Sequence, residues 1–389
     1  MYTEIYMILT AIFIIYFLNS CKKNSTTPDN GIKNSTPYLV DIGSAMEHVS
    51  SYNMSDLVER VEYIRLETSP DCLLKKVDKI MLSDSFMFIS DFECIYKFDR
   101  KGKFISKIGR QGRGPGEYLN VLHFCIDDRQ KLIYTLDLID KFHVFSFNGN
   151  YVRSFRMKYP SFNFFTTDSA KLACNVPNTP KEPSSCDLSL YIMDKNGEIV
   201  KTFKNYHKRT NNFAIVKSPL YKFENTIRFK EHGVDTLYSL INNKLVPYAI
   251  FNIGNLAMEP DPVWNPQTDF GDANQKYRIK ELGETKDLIL IGLIQGMYSD
   301  STINFVYDKK KGNTFKLDHG KFTNDLGGLP FWPKLGYYHD DRVLIDFTYA
   351  YDFKNQALAA DHINNDQIKQ IASIINENSN PIIIIGYLK

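Results

Sequence analysis

The sequence lacks the motifs that announce common chemistries. There is no C-x-x-C, so a zinc ribbon or thioredoxin-type site is unsupported. Neither H-x-H nor H-E-x-x-H occurs among the eight histidines. There is no G-x-S-x-G, which removes the hydrolase elbow, and no Gly-Lys-Ser/Thr of a phosphate loop. Charge of one sign is also lacking. Lys plus Arg is 47 and Asp plus Glu is 45, a net charge of +2, so nothing favours nucleic acid as a partner. No apolar run reaches the roughly 20 residues of a spanning helix. Proline and glycine are modest, at 16 and 21, against 27 Phe and 24 Tyr. That balance leans toward β structure. The 389 residues, 43% hydrophobic and 24% charged, can build one large all-β domain or two smaller ones.

The N-terminus reads as an address. Ile5 to Leu18 is an almost unbroken apolar stretch of signal-peptide length. It ends in Leu18-Asn19-Ser20-Cys21, which looks like a bacterial lipobox with cleavage before Cys21 and lipid on its sulfur. Glu4 and the absence of Lys or Arg ahead of the apolar core depart from the usual pattern. An upstream start or an atypical signal would explain that, and an uncleaved anchor with an incidental Cys is the other reading. The predicted organisation is a signal peptide over 1–20, a lipidated Cys and flexible tether over 21–50, and one domain over 51–389. Five further cysteines are scattered through strand-like segments, which is no disulfide framework. Cys174 and Cys186 flank a loop-like stretch and could pair; buried free thiols account for the others.

A hairpin recurs along the chain. Ile95 to Ile105 turns at Gly102, Phe142 to Val152 at Gly149, and Leu190 to Val200 at Gly197, spacings of 47 and 48. Alternation at period two makes each arm a half-buried strand, and Lys-Gly or Asn-Gly supplies the positive φ of a tight turn. A weaker turn places Lys244 47 residues on. The next, at Gly312, is 68 beyond it, so about twenty residues are inserted within Gly254 to Gly283. Strand pairs between these hairpins bring each period to about four strands, the pattern of a propeller blade. The fold class predicted is all-β: a six-bladed β-propeller with four-stranded blades, five or seven being possible. Its sixth blade comes from Leu329 to Phe353 and Pro381 to Leu388. Val61 to Leu66 closes the ring, so strands from both termini meet. Asp361 to Glu377 reads as one C-terminal helix.

Particular segments carry a family likeness. They are Val61 to Thr68, Gly109 to Tyr118, Asp235 to Tyr238, Gly327 to Pro333 and Asn380 to Ile384. On these residues the chain resembles the six-bladed β-propeller lipoproteins of Bacteroides and relatives, with NHL-like repeats. The resemblance implies the propeller fold and a cell-envelope, lipid-anchored address. It implies little about activity, because propellers host many functions.

Candidate site residues follow, each with a blander alternative. Arg110 and Arg113 in the glycine-rich segment could contact an anion or sugar acid, or the glycines could serve a tight inter-blade crossing. Phe331, Trp332 and Trp264 would make a stacking platform if exposed, and packing between blades is the alternative. His339-Asp340-Asp341 and Asp127-Asp128 sit more naturally in polar turns than as metal ligands, and no metal or cofactor is implied. Lys309-Lys310-Lys311 reads as a solvated hairpin tip. The functional expectation is a non-catalytic binding module for a glycan, peptide or partner protein over the central channel. The alternatives are a glycan hydrolase or lyase, and a structural subunit of an envelope complex.

Overall fold

The computed structural model describes residues 36–138, 141–177, 187–207, 217–263, 267–268, 270–336, 341–359 and 365–389. Cys21, Trp264, Cys186, His339 and Asp340 lie outside them. The described chain forms a six-bladed β-propeller. From axis to rim, blade 1 holds Lys79–Leu82, Phe86–Ser90, Ile95–Asp99 and Phe104–Ile108. Blade 2 holds Val121–Asp127, Leu132–Asp137, Lys141–Ser146 and Tyr151–Arg156. Blade 3 holds Asn163–Thr166, Leu172–Asn175, Leu188–Met193 and Ile199–Lys204. Blade 4 holds Leu220–Phe223, Thr226–Lys230, Thr236–Ile241 and Lys244–Asn252. Blade 5 holds Tyr277–Glu284, Leu288–Gln295, Ile303–Asp308 and Asn313–Leu317. Leading strands touch one another from blade to blade, which puts them at the axis.

The sixth sheet has three strands, Val343–Thr348, Ile382–Leu388 and Val58–Arg65. On its axial side, Lys334 N donates to Ile345 O at 2.8 Å, so residues around 334 stand where a regular first strand stands elsewhere. Strands from both ends of the chain thus share one sheet and close the ring.

Local chemistry repeats at the turns. In blade 1 Asp99 Oδ1 accepts from Lys101 N and Lys103 N, and in blade 3 Asp194 Oδ1 accepts from Asn196 N and Glu198 N. Gly102 takes φ 86°, and a Cβ there would lie 2.3 Å from Arg65 O. Only glycine meets both conditions. In blade 4 the turn is Asn242-Asn243, both at positive φ, just before Lys244. Asparagine tolerates that region, so it replaces the glycine. The insertion falls between blades 4 and 5 as short 3-10 turns, Gly254–Leu256 and Gly271–Gln275.

Large aromatic side chains fill the spaces between sheets. Phe142 of blade 2 meets Phe164 of blade 3 edge-on at 4.8 Å. Cys174 is a free, buried thiol there, as is Cys125.

Two boundaries differ from the sequence reading. Residues 38–41 and 49–50, assigned to the tether, are parallel edge strands on the rims of blades 4 and 5. They are too short to show alternation. The helical region also differs: Asp366–Ile374 is a helix, with Asn365 Oδ1 capping Gln367 N and Ile368 N, and a second helix, Ala350–Ala359, precedes it. Among the described residues no helix is long and apolar enough to cross a membrane.

Candidate binding cavity at the channel mouth

The turns between the first and second strands of blades 1 to 4 gather at one end of the axis. Each is fixed by local bonds. Asp127 Oδ1 accepts from Arg129 N and Gln130 N, both at 3.1 Å. In blade 3, Thr167 N donates to Lys171 O at 2.8 Å, with Ala170 at positive φ. Glu224 and Asn225 both take positive φ in blade 4.

These turns surround a cavity of about 360 Å³, lined by blades 1, 2, 3 and 4 and by Asp341 and Arg342 of the sixth. Its wall carries both signs of charge, and the charges bridge blades. Arg342 Nη2 lies 3.3 Å from Asp84 Oδ1, joining blades 6 and 1. Asp168 Oδ1 of blade 3 lies 3.8 Å from both Arg129 of blade 2 and Lys222 of blade 4. Asp341 Oδ1 accepts from Glu224 N at 2.9 Å, joining blades 6 and 4. Arg129, Asp168, Asp84 and Arg342 are well exposed. Exposed pairs of this kind stabilise a fold by about 0–1 kcal/mol each. Their side chains are therefore available to a ligand at little cost to the fold. The volume falls within the range of small-molecule sites, and carboxylates beside guanidinium and ammonium groups suit a hydroxyl-rich molecule.

The residues singled out in the sequence lie elsewhere. Around Arg110 and Arg113 the glycine-rich segment does form a cradle, but the chain fills it itself. Glu117 Oε2 accepts from Gly114 N at 2.7 Å, and Oε1 accepts from Arg110 Nε at 2.7 Å. A Cβ on Gly112 would come 2.0 Å from that carboxylate. The backbone N–H of Gly114 and the guanidinium of Arg110 hold the Glu117 pKa below its usual value. The resident anion is thus a side chain of the protein.

Phe331 is fully buried and Trp332 is 7% exposed, its ring 5.4 Å from that of Phe322. Both belong to the core between blades 5 and 6, so neither forms a surface stacking platform. Trp264 falls outside the described residues. Lys310 and Lys311 are solvated, but Lys309 is not. Lys309 Nζ donates to Glu284 Oε1 at 2.5 Å, and Arg228 Nε donates to Oε2 at 3.1 Å. Tyr221 and Tyr248 donate to the same carboxylate, which is completely buried. Burial pushes the Lys309 pKa down, with Glu284 opposing it. This closed cluster ties blade 4 to blade 5. Among the described residues no group of three His, Cys, Asp or Glu is arranged to hold a metal ion.

Asp84, Asp168, Lys222 and Arg342 were not singled out from the sequence. A signal existed: the first hairpin tip carries an acidic residue in five blades, at Asp84, Asp128, Asp168, Glu224 and Asp287. The period of the outer hairpins does not mark these tips.

Residues 37–387 match a protein family described as a domain of unknown function, DUF4934. No curated protein matches the chain. A candidate exported protein from Bacteroides fragilis NCTC 9343 has a similar structure. It is 19% identical, with a TM-score of 0.71, over 91% of this chain and 100% of that one. A protein of unknown function from Bacteroides caccae is 9% identical, with a TM-score of 0.39, over 62% of this chain and 81% of that one. BamB from Moraxella catarrhalis is 14% identical, with a TM-score of 0.40, over 66% of each chain. The first of these likenesses is one of fold, and the other two carry no argument.

Proposed function

The chain belongs to the DUF4934 family, and we propose that it is an extracytoplasmic binding module, lipid-anchored through Cys21, that receives a glycan at the channel mouth. The observation that carries this reading is the convergence of charged side chains from five blades on one cavity of about 360 Å³. Carboxylate oxygens of Asp84 and Asp168 would accept sugar hydroxyls, and Arg129, Lys222 and Arg342 would donate. The lipobox-like Leu18 to Cys21 supports the anchor. Similarity to a candidate exported Bacteroides protein agrees with the address. Binding without turnover is favoured because each carboxylate of the cavity is engaged: Asp127 and Asp341 hold turns and neighbouring blades, Asp84 pairs with Arg342, Asp128 with Lys131, and Asp168 lies between Arg129 and Lys222. A hydrolase or lyase needs free acid and base groups placed on one bond.

The test is a thermal-shift screen of the protein against glycans, peptides and sugar acids. A ligand bound only by the folded state at about 100 times its Kd adds about 2.7 kcal/mol and raises the midpoint. The expected result is a glycan response that disappears in the Asp168→Asn, Arg342→Ala double variant. A response retained in that variant, or silence with every glycan, rejects the reading. Silence with glycans and a peptide response would point instead to a protein partner.

A further inference from the structure

A second set of polar groups is buried on the axial strands of blades 1 and 2, outside the lining of the mouth cavity. Lys79 begins the axial strand of blade 1, yet its side chain ends on other blades. Its Nζ is hydrogen-bonded to Nε2 of His123 in blade 2 and lies 4.7 Å from the Phe165 ring centroid in blade 3. Lys79 and His123 are only 6% and 9% exposed. Phe164 and Phe165 meet the imidazole edge-on at 4.9 and 5.8 Å, which fixes the ring. On the blade 2 strand, Asp127 lines the mouth cavity and His123 stands four residues further in, roughly 13 Å away along the strand.

The proton inventory is one-sided. With Lys79 as an ammonium, which has only donors, Nε2 accepts from it and the imidazole proton sits on Nδ1. That Nδ1 is buried and has no hydrogen-bond partner among the described residues. Lys217 is exposed, its Nζ 6.0 Å from the Phe162 ring centroid, and its charge opposes protonation of both groups. The neighbouring carboxylate, Asp78, accepts from Lys76 Nζ at 3.5 Å. Cys125, two residues along the strand from His123, is buried with its pKa pushed up to about 12, so it stays a neutral thiol. Burial of an ammonium among such neighbours is unfavourable, and desolvation brings the Lys79 pKa down to about 7. An anion placed against these donors would satisfy Nδ1–H and compensate the charge in one step.

We propose that Lys79 and His123 form an oxyanion-binding site on the axial strands of blades 1 and 2, taking a carboxylate, sulfate or phosphate group. The experiment titrates full-length protein, nitrogen-15 labelled in its histidine rings, with inorganic phosphate, sulfate and glucuronate, and with glucose as the neutral control. The expected result is a saturable shift of the His123 ring nitrogens with an oxyanion and none with glucose. His123→Phe assigns the resonance, and Lys79→Met weakens binding about tenfold or more. A response to glucuronate supports the site as a receptor for an acidic glycan. A response to phosphate or sulfate alone supports it as a site for the free oxyanion. The Asp168→Asn, Arg342→Ala variant keeps the response, so this site and the mouth cavity fail separately. No ring shift with any oxyanion, or an undiminished response in Lys79→Met, overturns the proposal. Should Lys79→Met not fold, the wild-type ring titration decides.

Discussion

A few charged side chains are buried inside this propeller, and Glu231 illustrates the consequence. It follows the second strand of blade 4, is buried, and accepts from Tyr206 N at 2.8 Å and His207 N at 3.4 Å. Burial raises its pKa from 4.5 to about 7, against the pull of those two amides. In the unfolded chain the carboxyl ionises near 4.5, while in the folded chain it stays protonated up to about 7. Across that window the folded state holds the extra proton, so this contribution to stability is present below 4.5 and falls as pH rises to about 7. Glu231→Gln keeps an acceptor for the amides and removes the titration. Urea melts from about pH 4 to pH 8 should show the variant gaining on the wild type through this window and running parallel outside it. Parallel curves throughout would mean that Glu231 is ionised in the folded protein.

At the level of elements, three of the five segments that carry the family likeness touch one another. Asn380, just before the last strand, is almost fully buried, and it binds the N-terminal segment at several points. Its Oδ1 accepts from Leu74 N at 2.8 Å, and its Nδ2 donates to Glu67 O at 2.7 Å and Cys72 O at 2.8 Å. Tyr63 Oη accepts from Leu329 N at 2.9 Å, and a Cβ on Gly328 would lie 2.2 Å from it. These contacts hold the last blade shut. Asn380→Ala orphans an amide and two carbonyls in a buried site, at about 1–3 kcal/mol for each buried unsatisfied group. The urea midpoint should therefore fall with little change in m. An unchanged midpoint would mean that water takes over these bonds. Blade register was legible in the sequence because it rests on local signals, alternation and a turn residue at positive φ. The Ala350–Ala359 helix was not: over 350–358 only Ala350 and Phe353 are fully buried, so no apolar stripe marks it. The mouth cavity was illegible for another reason. Asp84, Asp168 and Arg342 are ordinary turn residues until the ring closes and brings three distant segments together.

At the scale of the whole molecule, stability depends on closure, since each blade buries its faces only against its neighbours. The last strand, Ile382–Leu388, is the middle of the sixth sheet, between Val343–Thr348 and Val58–Arg65. Its Ile382, Ile383, Ile384 and Ile385 are all buried. Each such side chain contributes about 1.5–3 kcal/mol by burial. Four of them match the whole margin of about 5–15 kcal/mol by which a folded protein exceeds its unfolded state. The edge strands 38–41 and 49–50 are different, because they add to rims of sheets that are already complete. Deleting residues 381–389 should therefore abolish cooperative unfolding, while deleting 36–50 should leave a cooperative transition at a lower temperature. Calorimetry on the two truncated proteins distinguishes them. A sharp, wild-type-like transition after the C-terminal deletion would show that the first five blades fold without the sixth. The ring would then be a stack of self-sufficient sheets, and the mouth cavity could form without Asp341 and Arg342 held in place.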